Sequence, residues 1–145
     1  MYYKVSEDLK AAVRRFEGLR LTAYRDTGGV LTIGYGHTSG VKEGQRITRS
    51  AAETMLRADL VRAMLRVGDL HAARSQGEAD ALCDFVFNLG AGNLRSSTLL
   101  KEIRKPKRDE AAIRREFLRW IYSGGRPQAG LKARRSWEAS RFFEK

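Results

Sequence analysis

The chain has 145 residues, of which 28 are Lys or Arg and 17 are Asp or Glu, so its formal net charge is +11. This length predicts one domain with a single buried core. No run approaches the roughly 18 apolar residues of a membrane span, and residues 1–8 lack the apolar stretch of a signal peptide. We therefore expect a protein made in the cytoplasm, without an export signal or transmembrane segment.

The positive charge predicts attraction to polyanions. Its Lys and Arg residues are dispersed over several segments, so we expect no nucleic-acid partner and favour anionic envelope polymers. Cys83 is the only cysteine, and it lies in an apolar run without metal-like spacing to His37 or His71. It is interpreted as a buried structural thiol, and neither a metal nor another cofactor is expected.

The first predicted element is a helix over residues 6–17. Ser6 is a suitable N-cap, and apolar residues recur at helical spacing along one face, namely Leu9, Ala12, Val13 and Phe16. Glu17 comes at the end of this helix, and Gly18 lets the chain leave it. Glu17 is therefore expected at the rim of whatever Phe16 packs into.

A hairpin is predicted next, because two glycines at residues 28 and 29 accept positive φ between extended segments over 22–24 and 30–33. Strand alternation allows Thr32 to share a side with Asp26 of the turn. A third strand is expected around residues 45–47. Together these strands would form a small sheet lobe over about residues 18–47.

The remaining residues, about 48–145, are predicted to form a helical lobe together with the helix at 6–17. Thr48 begins a helix that runs to about Arg66, and residues 76–89 form one that is apolar nearly all round and so belongs in the middle of a bundle. Further helices are expected from residue 96 or 97 to before Pro106, from 109 through 121, and over 130–143, with a loop at 123–127. The predicted fold class is α+β, mainly helical, in one domain over residues 1–145.

Asp59 falls on the apolar face of the helix that begins at Thr48. A carboxylate there is costly to bury without a partner, and His37, just beyond the second strand, is the nearest plausible one. We expect a His37–Asp59 pair that ties the sheet to the helix. The alternative is that Asp59 lies in water at the edge of the face.

Glu17, Asp26 and Thr32 form a candidate catalytic group. Glycoside hydrolysis needs two carboxyl groups across a cleft, one to protonate the leaving oxygen and one to assist the attacking water. Glu17 suits the proton donor, because partial desolvation beside Phe16 favours a protonated carboxyl group, and Asp26 with Thr32 can hold the water. The same residues can equally be a helix end, a turn residue and a solvated side chain, so their spacing alone leaves both interpretations open.

A longer motif surrounds these residues, made of Glu17-Gly18, Leu21, Ala23-Tyr24, Asp26, Gly29-Val30 and Thr32-Ile33-Gly34-Tyr35-Gly36-His37-Thr38. With matching segments over 48–59, 81–90, 97–99, 117–120 and 130–135, it resembles the signature of the phage-type, T4-lysozyme-like endolysins of glycoside hydrolase family 24. The resemblance covers nearly the whole chain. The loop at 123–125 is similar to that of lambdoid-phage endolysins.

The resemblance implies a lysozyme-like fold and hydrolysis, with inversion, of the β-1,4 bond between N-acetylmuramic acid and N-acetylglucosamine in peptidoglycan, for host-cell lysis. It implies Glu17 as general acid, Asp26 as the carboxylate that positions or activates water, and Thr32 as its partner. Phe87, Asn88 and Trp120 are implied substrate contacts, although a core role suits Trp120 equally, and His37 with Asp59 is expected to be structural. No arginine is assigned to pair with Glu17.

Two other functions remain open on the sequence, namely a lytic transglycosylase and a non-catalytic basic module that binds the cell wall. In the favoured hypothesis, the protein is a monomer that accumulates in the host cytoplasm. It would reach peptidoglycan through a holin-type membrane lesion, and its charge of +11 would hold it on anionic envelope polymers.

Overall fold

The computed structural model describes residues 2–145. In this range the chain forms seven helices and four short strands, in the order α1 (Glu7–Glu17), β1 (Arg20–Arg25), β2 (Leu31–Gly34), α2 (Arg49–Leu70), α3 (Gln76–Leu89), α4 (Ala91–Ser96), α5 (Thr98–Ile103), α6 (Glu110–Phe117), β3 (Tyr122–Ser123), β4 (Arg126–Pro127) and α7 (Ala129–Phe142). This confirms the mainly helical α+β class. No helix in residues 2–145 is both long enough and apolar enough to cross a bilayer.

The first helix forms as its sequence predicts. Ser6 Oγ accepts a hydrogen bond from the backbone N–H of Leu9 at 3.1 Å, which caps the helix, and the same hydroxyl donates to Asp80 of α3 at 2.7 Å. The buried face carries Leu9, Ala12 and Val13. Because the Ser6 hydroxyl bonds to both helices, the cap also fixes where α1 lies against α3.

The predicted three-stranded sheet is wrong, because only β1 and β2 form it. The segment around residue 46 makes a single bridge to β1, through hydrogen bonds from Ala23 N to Gln45 O at 2.8 Å and from Ile47 N to Leu21 O at 2.9 Å. Thr48 already caps α2, so the extended segment is too short to continue as a strand.

Helix α2 ends at Leu70, four residues beyond the predicted end at Arg66. Gly68 lies inside the helix, and the ring of Tyr2 packs directly on it, so that a Cβ at this position would overlap that ring. The Tyr2 hydroxyl donates to Asp69 Oδ1 at 2.7 Å. His71 follows as the C-cap, and its φ of 52° reverses the chain.

Helix α3 has the predicted bounds and lies at the centre of the molecule, packed mainly against α2 and α7. It is not apolar all round, because Asp80 and Asp84 are fully buried on it. Each carboxylate bonds to an arginine of α7, Asp80 to Arg141 at 2.8 Å and Asp84 to Arg134 at 2.8 Å. The core therefore contains two ion pairs between α3 and α7.

Cys83 is fully buried on α3, as the sequence predicts, and its Sγ lies 3.6 Å from the carbonyl oxygen of Leu60. Burial raises the pKa of the Cys83 thiol well above its ordinary value, and the negative charges of Asp84 and Asp80 add to this shift. The thiol is therefore unreactive in the folded protein.

Helix α4 is absent from the sequence prediction, which has no element between residue 89 and residue 96. Gly90 does end α3, with φ of 92°, but the chain starts a new helix at once. The Asn93 side chain donates to the carbonyl oxygen of Leu89 at 2.6 Å, and Leu94 is fully buried. Burial of Leu94 thus outweighs the weak helix propensity of the glycines.

The prediction of a helix through residue 121 followed by a loop is also wrong. Helix α6 ends at Phe117, and strands β3 and β4 form a second antiparallel hairpin. Gly124 and Gly125 have φ of 60° and 76°, the conformation of a tight two-residue hairpin turn.

Candidate active site

Glu17 is the last residue of α1. Its side chain is 20% exposed, and Arg134 Nη1 donates to its Oε2 at 2.5 Å. Gly36 lies against the same carboxyl group so closely that a Cβ there would overlap it. Glycine at position 36 therefore leaves room for a carboxyl group that is held on one side by an arginine and is still open to a ligand.

The turn of the first hairpin holds Asp26 through its own backbone. Asp26 Oδ1 accepts hydrogen bonds from the N–H groups of Gly28 at 2.9 Å and Val30 at 2.8 Å. Within residues 2–145, no protein group hydrogen-bonds to Oδ2, and the residue is exposed. One oxygen of Asp26 is thus fixed, while the other is available to a water or a ligand.

Thr32 lies on the same face of the hairpin as Asp26. Tyr24 is paired with Thr32, and Asp26 N donates to Val30 O at 2.9 Å. Side chains alternate between the two faces of a hairpin, so the side chains of these four residues lie on one face. Thr32 Oγ1 donates to the Val30 carbonyl oxygen at 2.9 Å. Because its proton is engaged there, the hydroxyl oxygen can accept a hydrogen bond from another group.

Tyr24 connects the two carboxyl groups electrostatically. Burial raises the pKa of the Tyr24 hydroxyl, and the negative charges of Glu17 and Asp26 raise it further. Tyr24 thus experiences the negative charge of both carboxyl groups. The Arg20 guanidinium lies 4.3 Å from the centre of the Tyr24 ring on the same strand.

Arg134 is the residue that the sequence prediction lacks. Its Nε and Nη2 atoms donate to both oxygens of Asp84, at 2.9 Å and 2.8 Å, while Nη1 bonds to Glu17. Burial lowers the pKa of Arg134, but Asp84 and Glu17 outweigh that effect and raise it above its ordinary value. Asp84 neutralises the arginine, so Arg134 can orient Glu17 without presenting an uncompensated positive charge.

A second ionisable pair adjoins Asp84. Burial raises the pKa of Glu138 well above its ordinary value, and a hydrogen bond and charge repulsion from Asp84 add to the shift. Burial opposes ionisation of Asp84, yet the hydrogen bond with Glu138 and the charge of Arg134 hold the pKa of Asp84 below its ordinary value. Burial beside the negative charge of Asp84 thus favours the protonated form of Glu138.

The signal for this buried cluster was present in the sequence. Asp80 and Asp84 are four residues apart on an otherwise apolar helix, and Arg134 and Arg141 are seven residues apart on the last one. Both spacings place the side chains on one helix face. A fully buried carboxylate needs a cation, so two acids in the central helix predict two buried arginines elsewhere.

The structure brings Phe87 to the same place as Glu17. The Arg134 guanidinium lies 5.8 Å from the Phe87 ring centre and 5.3 Å from that of Phe16. Phe87 and Gly36 both line a cavity of about 370 Å³, which is in the range of small-ligand sites. Gly36, which contacts the Glu17 carboxyl group, and Phe87 line this cavity, whereas Glu17, Asp26 and Thr32 do not.

Trp120 is placed apart from Phe87. Its ring packs edge-on against Phe85, with ring centres 5.3 Å apart. It lines another cavity, of about 290 Å³, with Ser97 and Arg119 among its neighbours. The structure thus gives Trp120 a packing contact with the core as well as an open side.

His37 and Asp59 are in contact. His37 Nδ1 lies 2.8 Å from Asp59 Oδ2, and His37 Nε2 lies 2.8 Å from the carbonyl oxygen of Ser39. Arg62 of α2 bonds to the other oxygen of Asp59. Within residues 2–145, no group of three or more His, Cys, Asp or Glu side chains is placed to hold a metal ion.

Known proteins share both the sequence and the fold. The phage lysozyme family matches residues 14–138. The endolysin of Acyrthosiphon pisum secondary endosymbiont phage 1 is 38% identical over an alignment of 144 residues that covers 95% of this chain and 97% of that protein. The muramidase domain of SpmX from Asticaccaulis excentricus has a TM-score of 0.87 at 31% identity, with 99% of each chain covered.

The lysozyme of Salmonella phage P22 has a TM-score of 0.80 at 32% identity, with 98% of this chain and 99% of that chain covered. The family match includes Glu17, Asp26, Thr32 and Arg134 within its residues 14–138. The chain therefore belongs to the phage lysozyme family of peptidoglycan-degrading glycoside hydrolases.

Proposed function

We propose that this protein is a muramidase, which hydrolyses the β-1,4 bond between N-acetylmuramic acid and N-acetylglucosamine with inversion at the anomeric carbon. The observation that carries the proposal is the Glu17 carboxyl group. It is fixed by Arg134, accessible beside Gly36, and shares a neighbour, Tyr24, with a second carboxyl group, that of Asp26. Two carboxyl groups of unequal environment are what glycoside hydrolysis requires.

Glu17 is proposed as the general acid. Arg134 bonds to Oε2 and so sets the plane of the carboxyl group, and the proton is transferred to the glycosidic oxygen as its bond to the anomeric carbon breaks. Asp84 holds the same guanidinium group through its other nitrogen atoms, which fixes where Arg134 meets Glu17. Arg134 is a positioning residue in this scheme.

Asp26 and Thr32 are proposed to hold the attacking water. Asp26 Oδ2 accepts one hydrogen of the water, and the Thr32 oxygen accepts the other because its own proton is bonded to Val30. The water oxygen then attacks the anomeric carbon while Asp26 takes up its proton. Attack from the side opposite the leaving group inverts the configuration.

Phe87 and Asn88, at the end of α3, are proposed as sugar contacts. Phe87 offers an apolar surface beside Glu17, and Asn88 is half-buried next to it. We propose Trp120 as a contact to a more distant part of the glycan, because it lines a different cavity. The His37–Asp59 pair is proposed to be structural, since it links the end of the hairpin to α2.

We further propose that the enzyme acts as a monomeric phage lysis protein, which accumulates in the host cytoplasm and reaches the wall through a holin-type lesion. The likeness to a phage endolysin over nearly its full length supports this role. The net charge of +11 would hold the enzyme on anionic envelope polymers. That attraction should weaken as added salt shortens the screening length to about 3 Å at 1 M.

Product analysis on purified peptidoglycan tests the proposal. Wild-type protein should release fragments with hydrated reducing ends, identified by mass spectrometry, and NMR of the first products should show the inverted anomer. The Glu17→Gln variant should lose about 1000-fold or more in kcat. Glu7→Gln, an exposed acid on the same helix, is the control and should retain wild-type activity.

Anhydro ends would instead identify a lytic transglycosylase, and an absence of cleavage by folded wild-type protein would leave only a wall-binding module. Either result contradicts the muramidase proposal. Wild-type lysis by Glu17→Gln would remove Glu17 from its assigned role.

A further inference from the structure

The side-chain amide of Asn88 has a fixed orientation. Arg135 Nη2 donates to Asn88 Oδ1 at 2.6 Å, and Arg135 is fully buried. A guanidinium group has only donors, so only the oxygen end of the amide can face it. The reversed amide would place N–H groups against N–H groups.

This orientation turns the Asn88 NH2 group away from Arg135. Within residues 2–145, Nδ2 of Asn88 makes no hydrogen bond, and the residue is half-buried. Asn88 directly follows Phe87, which lines the cavity beside Gly36. A donor with no protein partner is thus presented at the end of α3 that lies nearest to Glu17.

Arg135 itself is held on several sides. Its guanidinium lies 5.4 Å from the centre of the Phe85 ring, and its Nε lies 3.0 Å from Glu138 Oε1. Among the residues that the structure describes, Nε and Nη1 of Arg135 make no hydrogen bond, so burial and close packing hold the side chain in place. Arg135 therefore acts on Asn88 as a rigid donor.

Arg134 and Arg135 are consecutive residues of α7 with different partners. Arg134 bonds to Glu17, while Arg135 bonds to Asn88. Successive residues of a helix point about 100° apart, so one helix turn can reach both sides of the same site. Helix α7 thus sets the position of the acid and of a polar side chain on α3.

We propose that Arg135 is a positioning residue, which fixes the Asn88 amide so that its NH2 group donates to an acceptor oxygen of the glycan, with the carbonyl of an N-acetyl group as the best acceptor. This inference rests on the proposed muramidase function. It means that Asn88 presents a hydrogen-bond donor, so the sugar must present an acceptor at this position. It also gives Arg135 a role in substrate binding without any contact to substrate.

Steady-state kinetics on a soluble peptidoglycan oligosaccharide test this with Asn88→Ala, Arg135→Met and the double variant. Each single variant should raise KM about 3- to 10-fold, the equivalent of one neutral hydrogen bond, with kcat nearly unchanged. Arg135→Met should have no further effect on KM when Asn88 is already Ala. An equal rise in KM in both backgrounds would show that Arg135 is merely structural and would overturn the proposal.

Asn88→Asp is the variant that keeps the fold if Arg135→Met unfolds. It retains an acceptor for Arg135 but replaces the NH2 donor with an oxygen. Its thermal midpoint should stay at or above that of the wild type, while KM rises about 3- to 10-fold. Unchanged KM for folded Asn88→Asp would contradict the proposal.

NMR separates this inference from the proposed function, because it detects binding without cleavage. The side-chain amide signals of Asn88 should shift when chitotetraose is added to the Glu17→Gln protein. They should not shift when chitotetraose is added to the double variant that carries Glu17→Gln and Arg135→Met. Arg135→Lys, which keeps a donor, should restore part of the shift. If the Asn88 signals shift equally whichever residue stands at position 135, the inference is overturned. If the wild-type protein binds but does not cleave, only the muramidase assignment is overturned.

Discussion

The hairpin and the buried cluster of Asp84, Arg134, Arg135 and Glu138 flank Glu17 and are built in opposite ways. The hairpin holds an exposed carboxylate, that of Asp26, with hydrogen bonds from residues two and four positions away. The cluster buries its charges fully, and its bonds join residues 50 and 117 positions apart. The side chain that must reach water is held by nearby residues of the chain, whereas the side chains that orient Glu17 are held by packing of the core.

This difference predicts two classes of variant. In the hairpin, removal of a polar group should lower the rate with little loss of stability, since Asp26 is exposed and the change at the buried Thr32 keeps the side-chain volume nearly constant. In the cluster, removal of one partner leaves the other buried without compensation, which costs stability as well as rate. A variant that breaks this rule would show that the two regions are not separate in function.

Arg134→Met is expected to have the largest effect. It leaves Asp84 buried without its cation, at a cost of about 3–5 kcal/mol in unfolding free energy, and it frees Glu17 to rotate. Urea denaturation and kcat on peptidoglycan fragments measure the two losses. The matched control is Arg141→Met, which breaks the similar Asp80 pair at the other end of α3.

Arg141→Met should destabilise the protein but leave kcat per folded molecule unchanged. Equal losses of kcat in the two arginine variants would mean that stability alone explains them. Full kcat for a folded Arg134→Met protein would remove Arg134 from the positioning of Glu17.

Asp26→Asn should lower kcat by at least about 100-fold, because the amide cannot take up the proton of the water. The Asn oxygen can still accept the N–H groups of Gly28 and Val30, so the turn and the thermal midpoint should be kept. Kinetics and thermal melting are measured on the same sample. A large fall in the midpoint would place Asp26 in the stability class instead.

Thr32→Val removes one hydroxyl at nearly constant volume. We expect kcat to fall about fivefold, the equivalent of one hydrogen bond to the water, and Thr32→Ser to recover most of it. If Thr32→Ser is as slow as Thr32→Val, the methyl group of Thr32 matters more than its oxygen. That result would reassign Thr32 from water positioning to packing of the hairpin.

Glu138→Gln is expected to change the pH dependence of stability. The raised pKa of Glu138 means that the unfolded chain loses this proton near the ordinary value of 4.5, while the folded protein retains it. The wild type therefore loses stability as pH rises above that value, and the variant, which has no proton to lose there, does not. Unfolding free energies at about pH 4 and about pH 7 should show a relative gain for Glu138→Gln that grows with pH.

The hairpin side was predictable from the sequence because its geometry is local. Residues 26–29 indicate a turn by themselves, and the end of α1 at Gly18 places Glu17 without reference to the rest of the chain. The second hairpin carries the same signal, a glycine pair at 124 and 125, but the apolar spacing of Trp120 and Ile121 favoured a continued helix there. The third strand failed for a similar reason, since no local pattern shows that Thr48 ends the extended segment so early.

The cluster was not predicted, because its partners meet only when α3 and α7 pack. An arginine near the C-terminus has many acids to choose from in the sequence, and nothing local pairs Arg134 with Glu17 and Asp84. Gly68 shows the same dependence on distant contacts. A glycine usually weakens a helix, but here it lies inside α2 with the Tyr2 ring packed on it. Contacts between distant parts of the chain decided both cases.

The single sulfhydryl group is a natural probe of local opening in the core. Cys83 is inaccessible between α2 and α3, and no other thiol exists in the chain to confuse the signal. A thiol-specific dye can therefore label the native protein only during moments when these two helices separate. The labelling rate would report how often α2 and α3 separate in the native protein, and no engineered probe is required.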